Sequence, residues 1–289
     1  MLQHDLADIL LRTQPGPYRQ PAIVKEVLRQ LRSLGADIQE IDVVAPGQPG
    51  DSGAAVTLRG WLFPGESSMP MRPLVVLSHG VQAGRLDMAE LCLELQRRGF
   101  SAVCYDGRAH GLSGGDVITY GYHERHDVLA LAREAGARCG CERFVLGGLS
   151  MGGAISLLAS GEPAVAGVAT FSAYYDFTAC FQRYLELSLP NISAETIDLV
   201  LGETARFGGF NVADVSPSAV VPAQSHRPPL LIQHGGQDTL IPMNQARELA
   251  AAWGFTARLI EHPLAGHADI LSRPEALLPF YEFVESLPC

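Results

Sequence analysis

From Pro73 to the C-terminus the chain alternates short, continuous apolar runs with longer stretches of helical periodicity, and this alternation restricts the fold more than any other feature. The spacing predicts strands at Leu74–Leu77, Ser101–Tyr105, Phe144–Leu146, Val165–Phe171, Leu230–Gln233 and Ala257–Glu261. Helices are predicted at Leu86–Arg97, His123–Arg138, Met151–Ala159, Met243–Trp253 and near Pro274–Ser286. A strand that is apolar at every position has to be buried on both faces. Such strands, spaced by helices, imply an α/β fold with a mainly parallel sheet covered on both sides. Active sites in these sheets lie at the carboxyl ends of the strands, so the loops that follow them are where chemistry should be sought.

Two elements precede this region. Apolar residues at Ile23, Val27, Leu28, Leu31 and Leu34 form a helical stripe ended by Gly35. Ile38–Val44 and Ala55–Phe63 read as an antiparallel strand pair joined through the turn-rich segment APGQPGDSG. Residues 1–20 read as a polar, proline-containing lead-in. Between Tyr174 and His226 the alternation breaks into helical pieces (Thr178–Leu187, Ala194–Gly202) with Pro190, Pro217 and Pro222. An insertion there would cap the carboxyl ends of the strands. The expected organisation is a lead-in and helix over 1–35, a core in two parts over 36–173 and 227–289, and a cap over 174–226.

Composition excludes several classes. With 31 acidic against 21 basic residues and no basic run longer than Arg97-Arg98, a nucleic-acid groove has little electrostatic support. The N-terminus carries His4, Asp5 and Asp8 where a signal peptide needs positive charge and then an apolar run. No apolar stretch reaches the roughly 18 residues of a membrane span. The six cysteines show no zinc-type double pair, and Cys139 and Cys141 are too close for an ordinary disulfide. Reduced thiols in a cytoplasmic protein are the simplest reading.

Three loops carry candidate chemistry. Gly148-Leu149-Ser150-Met151-Gly152-Gly153 follows a predicted strand and opens a helix. A nucleophilic serine needs such a sharp, exposed turn, with glycines to relieve crowding and a helix N-terminus to favour negative charge. A glycine-rich turn serving only helix–sheet packing is the bland alternative. His267 follows the last predicted strand, where a general base could reach the nucleophile, although a loop histidine is commonly just a solvated polar residue. Asp238 follows Leu230–Gln233 and could orient that imidazole, or merely cap a turn. Their order, Ser, Asp, His, each after a separate strand, is that of one known arrangement of this chemistry. Asp176, after Val165–Phe171, is a second candidate acid, and Asp269 is too near His267 to orient its ring.

From about Ala55 onward the chain resembles the α/β-hydrolase superfamily, in particular its bacterial esterase and serine-aminopeptidase-like branch with a helical cap. The resemblance rests on Leu77-Ser78-His79-Gly80, on Asp106-Gly107-Arg108-Ala109-His110-Gly111-Leu112-Ser113-Gly114-Gly115, and on the loops of Ser150, Asp238 and His267. It implies an eight-stranded, mainly parallel sheet and an oxyanion hole formed by the backbone N–H groups of Val81 and Met151. His79 is expected to brace its loop, Arg108 and His110 either to brace theirs or to touch substrate, and Ala109, where glycine is common, to be tolerated unless that residue requires a positive φ.

The expected activity is hydrolysis of a small or medium-sized carboxylic ester through an acyl-enzyme, with no metal or organic cofactor. The same groups would cleave a thioester, a small amide or an N-terminal peptide bond, or pass the acyl group to another acceptor. A non-catalytic ligand-binding protein of the same fold is the competing class.

Overall fold

An eight-stranded sheet runs through the molecule in the order β1-β2-β4-β3-β5-β6-β7-β8. The structure is a computed structural model and describes residues 2–12, 17–45, 55–66 and 72–288. In chain order the elements are α1 (Leu2–Leu11), α2 (Pro21–Ser33), β1 (Gln39–Ala45), β2 (Val56–Phe63), β3 (Leu74–Ser78), α3 (Ala89–Arg97), β4 (Ala102–Asp106), α4 (Glu124–Cys139), β5 (Phe144–Leu149), α5 (Met151–Ala159) and β6 (Val165–Phe171). They continue with α6 (Phe177–Ser188), α7 (Ala194–Gly208), the one-turn α8 (Pro217–Val220), β7 (Leu230–Gly235), α9 (Met243–Trp253), β8 (Ala257–His262) and α10 (Pro274–Ser286).

Only β2 departs from parallel order, pairing antiparallel with both β1 and β4. The central strands are buried at every position, as their uniform apolarity predicts. Side chains alternate across a strand, so one run feeds two cores. Leu74, Val76, Leu146, Val168, Leu230 and Ile232 face a core shared with α4, α5 and α9. Val75, Leu77, Val145, Ala169 and Leu231 face a second core built with α2, α3 and α10. Edge strand β1 alternates instead, with Ile41, Val43 and Ala45 buried between exposed neighbours.

β3 lies between β4 and β5, so the chain leaves β3 toward one side of the sheet and β5 carries it back past the other. The ends of β3 and β5 therefore flank a topological switch point, where a crevice opens. Ser78 pairs with Gly148 at this point.

Most element positions agree with the sequence reading, and the departures have physical causes. The expected lead-in contains α1, because Leu6 with Leu10 and Ala7 with Leu11 stack at helical spacing. Ala7, Leu10 and Leu11 are buried, and the helix packs on α7. A helix this short gains its stability from packing rather than from propensity. The strand predicted at Phe144–Leu146 runs on through two glycines to Leu149, and α7 extends to Gly208, where Gly209 at φ +71° ends it. The helix expected from Leu86 begins as a 3-10 turn at Arg85–Met88. Most of the connection expected between the first two strands lies outside the described residues.

Gly152 and Gly202 should respond oppositely to alanine. A Cβ on Gly152 would overlap the Ser78 carbonyl oxygen, whereas Gly202, exposed on α7, has open space around it. Gly152→Ala should lose on the order of 2 kcal/mol or more in urea unfolding, and Gly202→Ala should gain up to about 1 kcal/mol. Equal effects would contradict the close approach at Gly152.

Candidate active site

Ser150 lies between β5 and α5 with φ 55° and ψ −117°, a backbone conformation outside the ordinary regions for a side-chain-bearing residue. Such a conformation costs of order 1–3 kcal/mol and persists only where its surroundings impose it. Here the Ser150 amide donates to Phe171 O at 2.8 Å, and all nine residues of α5 are buried. Gly148 also has to lack a side chain, since a Cβ there would lie 2.5 Å from Ser78 O. The serine is thus presented at the end of β3, where a Cβ on Gly80 would lie 3.5 Å from Ser150 Cβ.

Two backbone donors at this point are uncommitted. Met151 is the first residue of α5, so its N–H has no intrahelical acceptor. Val81, in the loop after β3, likewise donates to no acceptor among the described residues.

Asp238 and His267 meet on neighbouring loops. His267 Nδ1 lies 2.7 Å from Asp238 Oδ2, with the carboxylate fully buried and the imidazole 23% exposed. Asp238 Oδ1 accepts from Leu240 N at 3.0 Å and Ile241 N at 2.8 Å, which fixes the carboxylate plane. The loops after β7 and β8 are tied by Gln237 N to Ala265 O and Gly236 N to His262 O, both 2.8 Å. A proton on Nδ1, donated to the carboxylate, leaves Nε2 as the free, basic nitrogen. Ser150 Oγ makes no hydrogen bond to any described residue, so the structure joins Asp238 to His267 but does not hydrogen-bond His267 to the serine.

The competing carboxylates are committed elsewhere. Asp176 caps α6, accepting from Ala179 N at 3.0 Å. Asp269 accepts from Gly266 N at 2.6 Å and pairs with Arg273, bracing the loop that carries His267.

The residues expected to brace do so. His79 accepts from Gly107 N at 2.8 Å through Nε2 while its Nδ1 donates to Gly80 O at 2.7 Å, linking the loops after β3 and β4. Arg108 forms a two-pronged buried pair with Asp127, both contacts at 3.0 Å, and its carbonyl accepts from His110 Nδ1 at 2.8 Å. Ala109 has φ 59°, so it does occupy the position where glycine would be easier. Sequence reasoning missed the partners of this loop. Asp106 accepts from Arg85 N, Nε and Nη2 and from Leu112 N, and Glu124 accepts from Thr119 and Gly121. Nothing near any of these residues in the chain marks its partner.

Burial governs the histidines of this region. It holds His79 below the ordinary range, pushes His110 down to about 3 and lowers His234, whose Nε2 donates to Ile241 O at 2.7 Å. Each is neutral and structural at neutral pH. Among the described residues no group of three or more His, Cys, Asp or Glu side chains is arranged to hold a metal ion, and no helix is long and apolar enough to cross a membrane.

A sheet with this strand order, parallel except at β2, is the sheet of the α/β-hydrolase fold. The comparisons agree. The family model described as serine aminopeptidase, S33, matches residues 69–204. The protein YqkD of Bacillus subtilis (strain 168) is 29% identical over 185 residues, which are 61% of this chain and 58% of that protein. The Pyrococcus furiosus esterase Pf2001 superposes with a TM-score of 0.69 at 19% identity, covering 89% of this chain and 95% of that one. A thermophilic esterase from Thermogutta terrifontis gives 0.59 at 18% identity, over 86% and 98% of the two chains.

The neutral histidines make stability depend on pH with a definite sign. Their folded values lie below the unfolded 6.5, so their contribution is complete above that pH and is lost as the pH falls through each folded value, which for His110 is about 3. His110→Asn should reduce the slope of unfolding free energy between about pH 4 and 6 by roughly one proton, about 1.4 kcal/mol per pH unit. An unchanged slope in chemical denaturation would show that His110 is protonated in the native state.

Proposed function

We propose that this chain is a serine esterase that hydrolyses a small or medium-sized carboxylic ester through an acyl-enzyme. The observation that carries the reading is the Asp238–His267 couple on the loops after β7 and β8, taken together with a strained Ser150 at a helix N-terminus whose Oγ bonds to no described residue. Ser150 Oγ attacks the ester carbonyl carbon while His267 Nε2 takes its proton. The carbonyl oxygen becomes an oxyanion held by Val81 N–H and Met151 N–H, each such donor being worth about 2.7–4 kcal/mol. Collapse expels the alcohol, which leaves with the proton from His267. Water, deprotonated by the same nitrogen, then attacks the acyl-serine carbonyl, and the acid departs as Ser150 Oγ takes that proton back from His267. Asp238 keeps Nδ1 protonated and offsets the positive charge that the ring gains.

The His267–Ser150 hydrogen bond is made as substrate seats, since catalytic contacts commonly tighten only in the complex. The segment over 174–226 acts as the cap, tied to the acid's loop by Arg183 Nε donating to Thr239 O at 3.0 Å. The Pyrococcus furiosus and Thermogutta terrifontis proteins are esterases, which supports ester over other acyl substrates. A second reading, cleavage of an aminoacyl amide, is favoured by the serine aminopeptidase family model. p-Nitrophenyl esters of graded chain length assayed beside aminoacyl p-nitroanilides separate the two.

Ser150→Ala and His267→Ala should each lower kcat by about 10⁴–10⁶ with the fold intact, and a fluorophosphonate probe should label the wild type but not Ser150→Ala. Labelling that persists in Ser150→Ala would remove the serine from the mechanism. Absence of labelling in the folded wild type would favour a ligand-binding protein.

The two candidate acids separate by readout. Asp238→Asn should cost about 10⁴ in kcat. Asp176→Ala should lower stability by about 1 kcal/mol through the lost helix cap and leave kcat near wild type. The reverse pattern would assign the acid to Asp176.

A further inference from the structure

The loop that carries Val81 is held from outside by N-terminal residues, Arg12, Tyr18 and Arg19 among them, far from it in sequence. Tyr18 OH donates to Asp87 Oδ1 at 2.8 Å. The Tyr18 ring lies over Gly84, where a Cβ would come within 2.8 Å of Tyr18 Cδ1. Gln82 Nε2 reaches Arg12 O at 3.4 Å. Arg19 Nη2 donates at 2.6 Å to the carbonyl of Ala109, in the loop after β4 that also holds His79 through Gly107. The same N-terminal segment is anchored by Ile118 N to Leu11 O at 2.8 Å and Tyr120 OH to Leu10 O at 2.6 Å. Tyr120 O in turn accepts from Tyr174 OH at 2.9 Å, and α1 packs on α7.

Contacts within the loop fix its two ends. Arg85 N on Asp106 Oδ1 fixes the far end, and His79 fixes the start. Between them, Val81 and Gln82 lie in a turn outside helix and strand, and Gln82 has φ 61°. A donor shifted by even an ångström loses much of its effect on a developing oxyanion. Resting on the reading that Val81 N–H stabilises the oxyanion, we propose that Tyr18 is a positioning residue, setting that N–H through Gly84 and Asp87. Burial and the Asp87 carboxylate push the Tyr18 hydroxyl up to about 12, so it remains a donor over the working pH range.

The test uses the full chain with Tyr18→Phe, which keeps the ring and removes only the hydroxyl, beside Asp87→Ala and the double variant. Four quantities are measured: kcat and KM for p-nitrophenyl butyrate, the inhibition constant of phenylboronic acid, and Tm. The boronic acid takes Ser150 Oγ on boron and mimics the tetrahedral intermediate. The expected result for Tyr18→Phe is about a tenfold fall in kcat, KM within twofold, and boronate binding weakened by the same factor as kcat. The double variant should be no worse than Asp87→Ala alone, because that variant already removes the Tyr18–Asp87 hydrogen bond, along with the one from Gly84 N. Should Tyr18→Phe fail to fold, Asp87→Ala is read by the same criteria. Unchanged kcat and boronate binding overturn the proposal, as does a lowered Tm with boronate binding intact, or additive losses in the double variant. If Ser150→Ala retains activity the underlying functional reading fails instead, so the two failures are distinguishable.

Discussion

The close approach of two strand ends governs this molecule. Where Ser78 of β3 meets Gly148 of β5, no side chain fits on Gly148 or on Gly152, because each would press on the Ser78 carbonyl. That contact brings the loop after β3 against the serine turn, beside two amide donors that have no acceptor among the described residues. The strain at Ser150 is sustained because α5 is wholly buried and β5 is bonded on both sides. Sheet packing on two faces supplies the rigidity, and the switch point uses it to hold one residue in a conformation it would not adopt alone.

Around this point the loops are fixed by charge rather than by apolar contact. Arg85–Asp106 and Arg108–Asp127 are both nearly inaccessible to water. Buried pairs of this kind are weak evidence for net stability, since desolvation offsets much of the attraction. Their geometry is nevertheless exacting. The Asp106 carboxylate accepts four hydrogen bonds, including backbone N–H groups from Arg85 and Leu112 on either side of it in the chain. A loop held in this way has one arrangement, whereas an apolar loop of similar size could repack.

The helical segment between β6 and β7 is held differently. Its inner side is an aromatic cluster in which Phe177 lies 4.9 Å from Tyr120, 5.7 Å from Tyr174 and 5.6 Å from Phe181, measured between ring centroids. These rings are buried against one another and against α1, so the sequence's aromatic run at Tyr174–Phe181 builds the seat of this segment. The N-terminal helix completes that seat, joining a region that sequence order would place at opposite ends of the fold.

How much was legible follows from the range of each signal. Burial on both faces of a strand and the period of a helix are local properties, so the sheet, most helix limits and the loops of Ser150, Asp238 and His267 could be read from residues a few places apart. The pairing of His267 with Asp238 was inferable only as a consequence of strand order; its 2.7 Å contact depends on loops sewn together by backbone bonds that leave no mark in composition. The partners of Arg85, Arg108 and Tyr18 lie 19 to 69 residues away, and any of the chain's many carboxylates could have filled those roles. The sequence by itself determined which segments become strands and helices, and which loops offer a candidate nucleophile, base and acid. Only the tertiary structure decided which charges meet, because a buried ion selects its partner by three-dimensional proximity after the sheet has formed.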